Sequence, residues 1–428
     1  MPFELIRGVG CVVLVGAIGA PVLFSQDYKP NLPVDHPAIQ YAQTPVRDRV
    51  AVLADELRRG GTGVWPGHSG TVHVLSGLLA RLDVNADSQM LVFSKTSAQA
   101  ARIDPDHPRA IYFTDDVVVG YVPDAPHLEI AAVDPVQGPV FYTMSIGAQP
   151  TIARGTTCLQ CHQGPNTAGV PGLYIGSVIP GPTGTPLRDE SAIITDHRSD
   201  FKDRWGGWYV TARRGEQPDR ANAVAASPAE PETLVREAQQ NLASLAGRFN
   251  PAGYPTQTSD IVALMTFEHQ TQMTNLITRV GWGARLAAHA GHSDVATDGS
   301  LVADIDELVH YMLFGGEASL KEPIEGVATF TRSFAQRGPR DRRGRSLRDF
   351  DLHTRLFRYP LSYMIYSAAF DALPEAARET IYRRLYAVLT GGDQSPRYAH
   401  LSASDRRAIL DILRETKAHL PAYWRAGM

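Results

Sequence analysis

The chain has 428 residues, 43% hydrophobic and 20% charged, with 41 Lys plus Arg against 45 Asp plus Glu. That is the composition of an ordinary globular protein with room for two or three domains. The net charge of -4 gives no reason to expect a nucleic-acid partner.

The first seven residues carry one basic side chain, Arg7, and residues 8–24 (GVGCVVLVGAIGAPVLF) carry no charge. Polar sequence returns at Gln26. A basic start followed by an apolar run reads as an export signal over residues 1–25, with a cut between Ser25 and Gln26. Leu23 is large for the position three before that cut. The run is also long enough to stay as an uncleaved anchor in the inner membrane. Cys11 reads as one more apolar residue of this leader. The expected location is therefore periplasmic or exported, and no second apolar run approaches transmembrane length.

Residues 44–59 place Val46, Val50, Leu53 and Leu57 at helical spacing, and a Gly-rich stretch, 60–70, closes them. Strands are expected at 90–93, 111–113, 117–122, 128–133 and 140–144. These runs are β-branched or aromatic and are separated by DPDHP, TDD and DPVQG turns. Shorter strands follow at 173–179, 192–195 and 208–211. Residues 213–231 are charged, rich in Ala and Pro and without period, as in a linker or exposed loop. Helices are expected at 233–249, 259–290, 301–314, over a segment from 351 to 373, at 374–389 and at 402–419, the last capped by Ser402 and Asp405. The predicted fold is α+β. A β-rich part, 26–212, is followed by an all-helical part, 232–428. The basic run at 337–348 (RGPRDRRGRSLR) is a solvated loop or a docking patch for an acidic redox partner.

Between the two groups of strands stands Cys158-Leu159-Gln160-Cys161-His162. C-x-x-C-H is the attachment signature of a c-type haem: both thiols add to the vinyl groups and the imidazole takes the iron. Cys-x-x-Cys alone also suits a redox disulfide or half a zinc site. Zinc needs further ligands, and the only other cysteine is Cys11. One motif predicts one covalent haem c in a cytochrome-c-like site of the β-rich part, with His162 as proximal ligand. The second ring nitrogen of His162 should donate to a backbone carbonyl. Gly164-Pro165 should turn the chain away.

A distal ligand is harder to place. The methionines are Met1, Met90, Met144, Met265, Met273, Met312, Met364 and Met428, so none falls between His162 and Met265. The sixth ligand comes from Met144, from the helical part, from a histidine, or from nothing. In the helix expected at 259–290, Ile261, Val262, Met265, Leu276 and Val280 share a face. His269 points into that stripe, Met273 lies a turn on, and Glu268, Gln272 and Asn275 border it. Met273 and His269 are the candidate iron ligands here, with Met265 third; a core histidine bonded to a neighbouring helix is the other reading. Thr195-Asp196-His197-Arg198 and Arg204-Trp205-Gly206-Gly207-Trp208-Tyr209 form a second constellation. Arg198 and Trp205 are candidate donors to haem propionates. His197 is a candidate distal ligand, proton relay or propionate partner. The alternative is a strand-turn-strand with aromatic packing. His68 and His73 are weaker candidates.

Several stretches carry a resemblance: LVFSKTSAQAARIDPDHPRAIYFTDDVVVGYV, GTTCLQCHQG, TDHRSDFKDRWGGWYVT, FEHQTQMTNLIT and YAHLSASDRRAILDIL. In these the chain resembles the large, mostly uncharacterised cytochrome-c-domain proteins that bacteria export, with a single C-x-x-C-H. The resemblance implies haem binding and a redox function, and no substrate. The expected function is electron transfer with a periplasmic redox partner protein. The alternative is a haem c enzyme, peroxidase- or oxygenase-like, with an open distal site and His197, Glu268 or His269 as acid–base groups; a haem-based sensor is the third reading. A carrier needs only about 100 residues to wrap one haem, so the length leaves room for more than shuttling.

Overall fold

The structure is a computed structural model that describes residues 29–60, 70–147, 150–187, 192–227, 230–236, 241–292 and 294–425. The leader, Cys11 and His68 lie outside the described residues.

The N-terminal half is built on a meander. Strands β1 (Met90–Val92), β2 (Arg109–Phe113), β3 (Val117–Tyr121), β4 (His127–Asp134), β5 (Gly138–Ser145) and β6 (Ile152–Arg154) pair antiparallel in sequence order. Each expected strand between 90 and 144 is present. Two small pairs stand apart: β7 (Ile175–Ser177) with β8 (Ile193–Thr195), and β10 (Ala223–Ser227) with β11 (Glu230–Arg236). β9 (Trp208–Tyr209) joins the outer edge of β1, giving a seven-stranded sheet in the order β6-β5-β4-β3-β2-β1-β9.

Alternation along these strands divides the sheet into two faces. Leu128, Ile130 and Ala132 of β4 lie in one core with Val50 and Leu53 of α1 (Arg49–Arg58) and Leu75, Leu78 and Leu79 of α2 (Thr71–Arg81). Met90, Val92, Ile111 and Phe113 lie in a second core with the helices of the C-terminal half. α1 starts at Arg49 rather than 44 because Asp48 caps it, accepting from the N–H groups of Val50 and Ala51. α2 was not expected: its buried leucines are helically spaced, but the Gly-rich run before it masks the start.

After a four-residue turn, α3 (Leu159–His162), the remaining helices are α4 (Ile261–His289), α5 (Gly299–Met312), α6 (Phe330–Gln336), α7 (Ala368–Asp371), α8 (Glu375–Leu389) and α9 (Ala403–Thr416). The architecture is α+β with a helical C-terminal part. α4 is its axis, about 43 Å long at 1.5 Å per residue. Of its 29 residues 22 are buried, so no single stripe describes it. Its threonines are satisfied internally: Thr266, Thr274 and Thr278 donate to carbonyls four residues back, at 2.7–2.9 Å.

Three expectations fail. Residues 233–236 and 241–249 are not helical: Glu230–Arg236 is strand β11 and 241–250 are bends and turns, while 237–240 lie outside the described residues. Asn241, Ser244, Gly247 (φ 85°) and Asn250-Pro251 are turn formers that interrupt the helical pattern. Within 351–373 only α7 is α-helical, because Asp351 accepts from the N–H groups of His353 and Thr354 in an Asx turn and Pro360 follows. In the segment read as a linker, the described stretch 213–227 is partly packed: Arg214 and Asp219 form a buried ion pair, and Ala221 and Asn222 are buried.

The Trp205-Gly206-Gly207-Trp208 turn ties the β7–β8 pair to the sheet edge, the Gly206 N–H donating to Ser177 Oγ at 2.9 Å. The carbonyl of Gly207, whose φ is 85°, accepts from the N–H groups of Phe93 and Ser94 at 2.9 and 3.1 Å. A Cβ on Gly206 would stand 2.0 Å from the Val178 carbonyl oxygen, which is backbone and has nowhere to go. Gly206→Ala is therefore expected to cost about 1–3 kcal/mol, as overpacking does. Urea unfolding would show this, and an unchanged midpoint would mean that the turn is loose.

Candidate functional site

The C-x-x-C-H motif leaves the sheet directly. The N–H of Gly155 donates to the Phe141 carbonyl at 2.9 Å, and the chain then winds into α3. The N–H groups of Cys161 and His162 both donate to the Cys158 carbonyl, at 3.2 and 2.9 Å. One helical turn thus brings the two cysteines to one side, three residues apart. Both are free thiols; Cys158 is half-buried and Cys161 exposed. Among the described residues no group of three or more His, Cys, Asp or Glu converges as a metal cage.

His162 is held on two sides. Its Nδ1 lies 3.0 Å from the carbonyl oxygen of Gly172, while the Gly172 N–H donates to the His162 carbonyl at 2.8 Å. The ring packs between Phe141, at 4.9 Å between centroids, and Tyr174, at 5.7 Å. Burial holds its pKa below the ordinary value, partly opposed by the bond to Gly172, so the neutral form dominates at neutral pH. A neutral ring with Nδ1–H spent on a carbonyl leaves Nε2 as the lone-pair nitrogen.

The loop that supplies this carbonyl is clamped by α4. Asn275 accepts from the Leu173 N–H at 3.1 Å and donates to the Leu173 carbonyl at 2.7 Å. Arg279 donates to the carbonyl of Ala168 at 2.8 Å and pairs with Asp304 at 2.7 Å. A Cβ on Gly172 would stand 2.3 Å from Asn275 Oδ1. Asn275 was noticed in the sequence only as a polar neighbour of an apolar stripe, and Arg279 and Gly172 were missed. Pro171-Gly172, ten residues after the motif, was the available signal. Gly164-Pro165 opens a tight turn, Pro165–Thr167, as expected.

The other candidates gather elsewhere. His269 and His197 face each other at 2.8 Å between their Nδ1 atoms, and His269 Nε2 lies 2.7 Å from Ser362 Oγ. Both nitrogens of His269 are thereby committed. Both rings are fully buried, and burial drives both pKa values well down, with Arg198 and Arg204 adding to it at His197. Two neutral imidazoles then share one Nδ1–H between them. Tyr311 stacks on His197 at 4.0 Å and Phe314 on His269 at 4.3 Å. His197 Nε2 makes no well-formed hydrogen bond, although the Gly315 carbonyl is near enough to favour its protonation.

Next to this pair, Glu268 is buried and accepts from Thr195 Oγ1 at 2.8 Å, Arg204 Nη1 at 3.1 Å and Trp205 Nε1 at 3.1 Å. Arg198 pairs with Asp196 and Glu307, both at 2.7 Å, and lies over the Tyr311 ring. Arg198 and Trp205 are therefore engaged by carboxylates of this cluster. Met273 is fully buried in the core shared with α5, and Met144 points to the sheet face opposite Phe141. His73 is exposed on α2. The structure thus joins Cys158, Cys161 and His162, and gathers His197, Arg198, Trp205 and His269 into a separate buried polar cluster.

Burial raises the Glu268 carboxyl to about 7, against the pull of Arg204. A folded pKa above the unfolded one makes ionised Glu268 a cost that is absent at low pH and grows as pH rises through 7. Arg204 limits that cost. Arg204→Leu is expected to lose about 3–5 kcal/mol at pH 8, as breaking a buried pair does. The loss should shrink toward pH 5, where Glu268 is protonated. Equal losses by denaturant titration at both pH values would show that the Arg204 charge is not what matters.

Comparison with known protein families, curated proteins and solved structures found no match.

Proposed function

We propose that this chain is an exported monohaem c-type cytochrome that transfers electrons through one covalently bound haem. The observation that carries the reading is the His162 arrangement: Nδ1 spent on the Gly172 carbonyl, and two free thiols within the preceding helical turn. Those residues suit the group in chemistry as well as in sequence. Cys158 and Cys161 would form the thioethers, and His162 Nε2 would take the iron. A bound haem supplies reversible one-electron chemistry. The chain's part is to fix the imidazole through Gly172 and Asn275 and to keep it neutral.

Transfer needs an edge that a partner can approach. Cys161 is exposed, and the exposed residues around it, Thr156, Thr157, Gln160, Pro165 and Asn166, are uncharged. A periplasmic redox partner would meet this rim rather than the basic run at 337–348. Four of the six arginines there, Arg337, Arg340, Arg345 and Arg348, already pair with Asp83, Asp349, Asp341 and Asp115. The leader, residues 1–25, fits export to the periplasm or anchoring to its inner membrane. Among the described residues no helix is long and apolar enough to cross a membrane.

The test is the visible spectrum of protein expressed with haem-c maturation, oxidised and reduced. One haem per chain that survives acid–acetone extraction is expected, with loss of the normal spectrum in His162→Ala. Loss of covalent attachment is expected in Cys158→Ser/Cys161→Ser. An unchanged spectrum in His162→Ala would sink the reading. Electron transfer predicts a low-spin spectrum indifferent to carbon monoxide. A high-spin spectrum that shifts with the gas would favour an enzyme or sensor instead.

A further inference from the structure

Beside the motif, the sheet carries a charge pair that the proposed attachment chemistry does not use. Phe141, which packs on His162, is opposite Ala131 in the β4–β5 register, and Glu129 is the next residue of β4 on that face. Gly120 of β3 is opposite Glu129. Arg109, at the start of β2, reaches across β3 to Glu129, with Nη2 to Oε2 at 2.5 Å. It can do so only because Gly120 has no side chain: a Cβ there would stand 2.5 Å from the guanidinium. Both side chains are about four-fifths buried, and Arg109 Nε has no hydrogen-bond partner.

We infer that Arg109 and Glu129 form a built charge pair beside the histidine that would hold the iron, and that these two residues, rather than Arg198 of the 195–205 segment, would set the electrostatic environment of a bound haem. The inference rests on the haem reading above. Three arguments support it. The pair lies on the same sheet face as Phe141, one row from the ring that packs on the proximal histidine. A guanidinium laid across a strand at a glycine is held in place, so its field is fixed. Both charges are felt by the His162 ring, and Glu129 by Cys158. Largely buried fixed charges act more strongly on a neighbour than exposed ones, since water screens them less.

The sign follows from electrostatics alone. Ferric haem carries one more positive charge than ferrous haem. Glu129 favours the ferric form and lowers the potential, and Arg109 does the opposite. Spectroelectrochemical titration of purified holoprotein, with haem content measured as the pyridine haemochrome, tests this. Glu129→Gln is expected to raise the midpoint and Arg109→Gln to lower it, each at unchanged haem content. The double variant should return toward the original value. Gly120→Ala, which pushes the guanidinium away without removing its charge, should shift the midpoint in the direction of Arg109→Gln. A general loosening of the site would move all variants one way through solvent entry. Shifts of one sign, or none, in haem-replete variants would overturn the inference. A starting protein without covalent haem would overturn the reading beneath it.

Discussion

The fold depends on a buried helix whose fully buried polar side chains are all hydrogen-bonded. α4 runs through the molecule with Glu268, His269, Gln270, Asn275 and Arg279 fully or nearly fully buried. Each would be costly there without partners. Gln270 donates to the Thr114 carbonyl of the sheet and accepts from Tyr363 of the C-terminal half. Asn275 and Arg279 hold the loop after the motif, and Glu268 and His269 hold the 195–205 segment. The helix therefore works as a polar clamp on four separate pieces of chain, inside an otherwise apolar core. Such a network specifies one arrangement, because any slip of register leaves several buried groups unsatisfied at once.

That clamp connects the two halves that a sequence reading keeps apart. The β-rich part carries the motif, but the residues that position its histidine come from α4, about 110 residues later. The core on that side of the sheet contains Met90, Ile111 and Phe113 together with α4, α5 and α8. For the proposed cytochrome this means that the proximal histidine is tied to the helical half through two steps. His162 bonds to Gly172, and the neighbouring Leu173 bonds to Asn275.

The sheet and the longest helices were legible because their signals are local and redundant. Each strand from 90 to 144 has a β-branched or aromatic run with a turn on both sides. α4, α5, α8 and α9 have sustained periodicity, and α9 has its capping box as well. Short or interrupted elements were not legible. α2 and α6 lie behind Gly-rich or polar runs, and 241–250 imitated a helix until its turn residues were weighed. At the site, C-x-x-C-H declares itself because covalent chemistry demands neighbouring residues. The carbonyl, the clamp and the Arg109–Glu129 pair depend on contacts across sheet strands or across the chain, which spacing does not encode.

The apolar stripe on 259–290 misled for a related reason. An isolated histidine and methionine on such a stripe look available because a helical wheel shows only one helix. In the fold His269 already has two partners, one of them His197, which the sequence offered as an independent candidate. Two residues that each looked like a free ligand are each other's hydrogen-bond partner. Their short Nδ1 to Nδ1 contact requires one ring to donate and the other to accept, so two protonated rings could not coexist there. Burial, which drives both pKa values down, and this shared proton therefore favour the same neutral state. A proposed iron bond from His269 would have to break its contact with Ser362 or His197 and leave a buried polar atom without a partner. For a sixth ligand the more economical sources are a residue not yet committed to a contact, or an exogenous molecule.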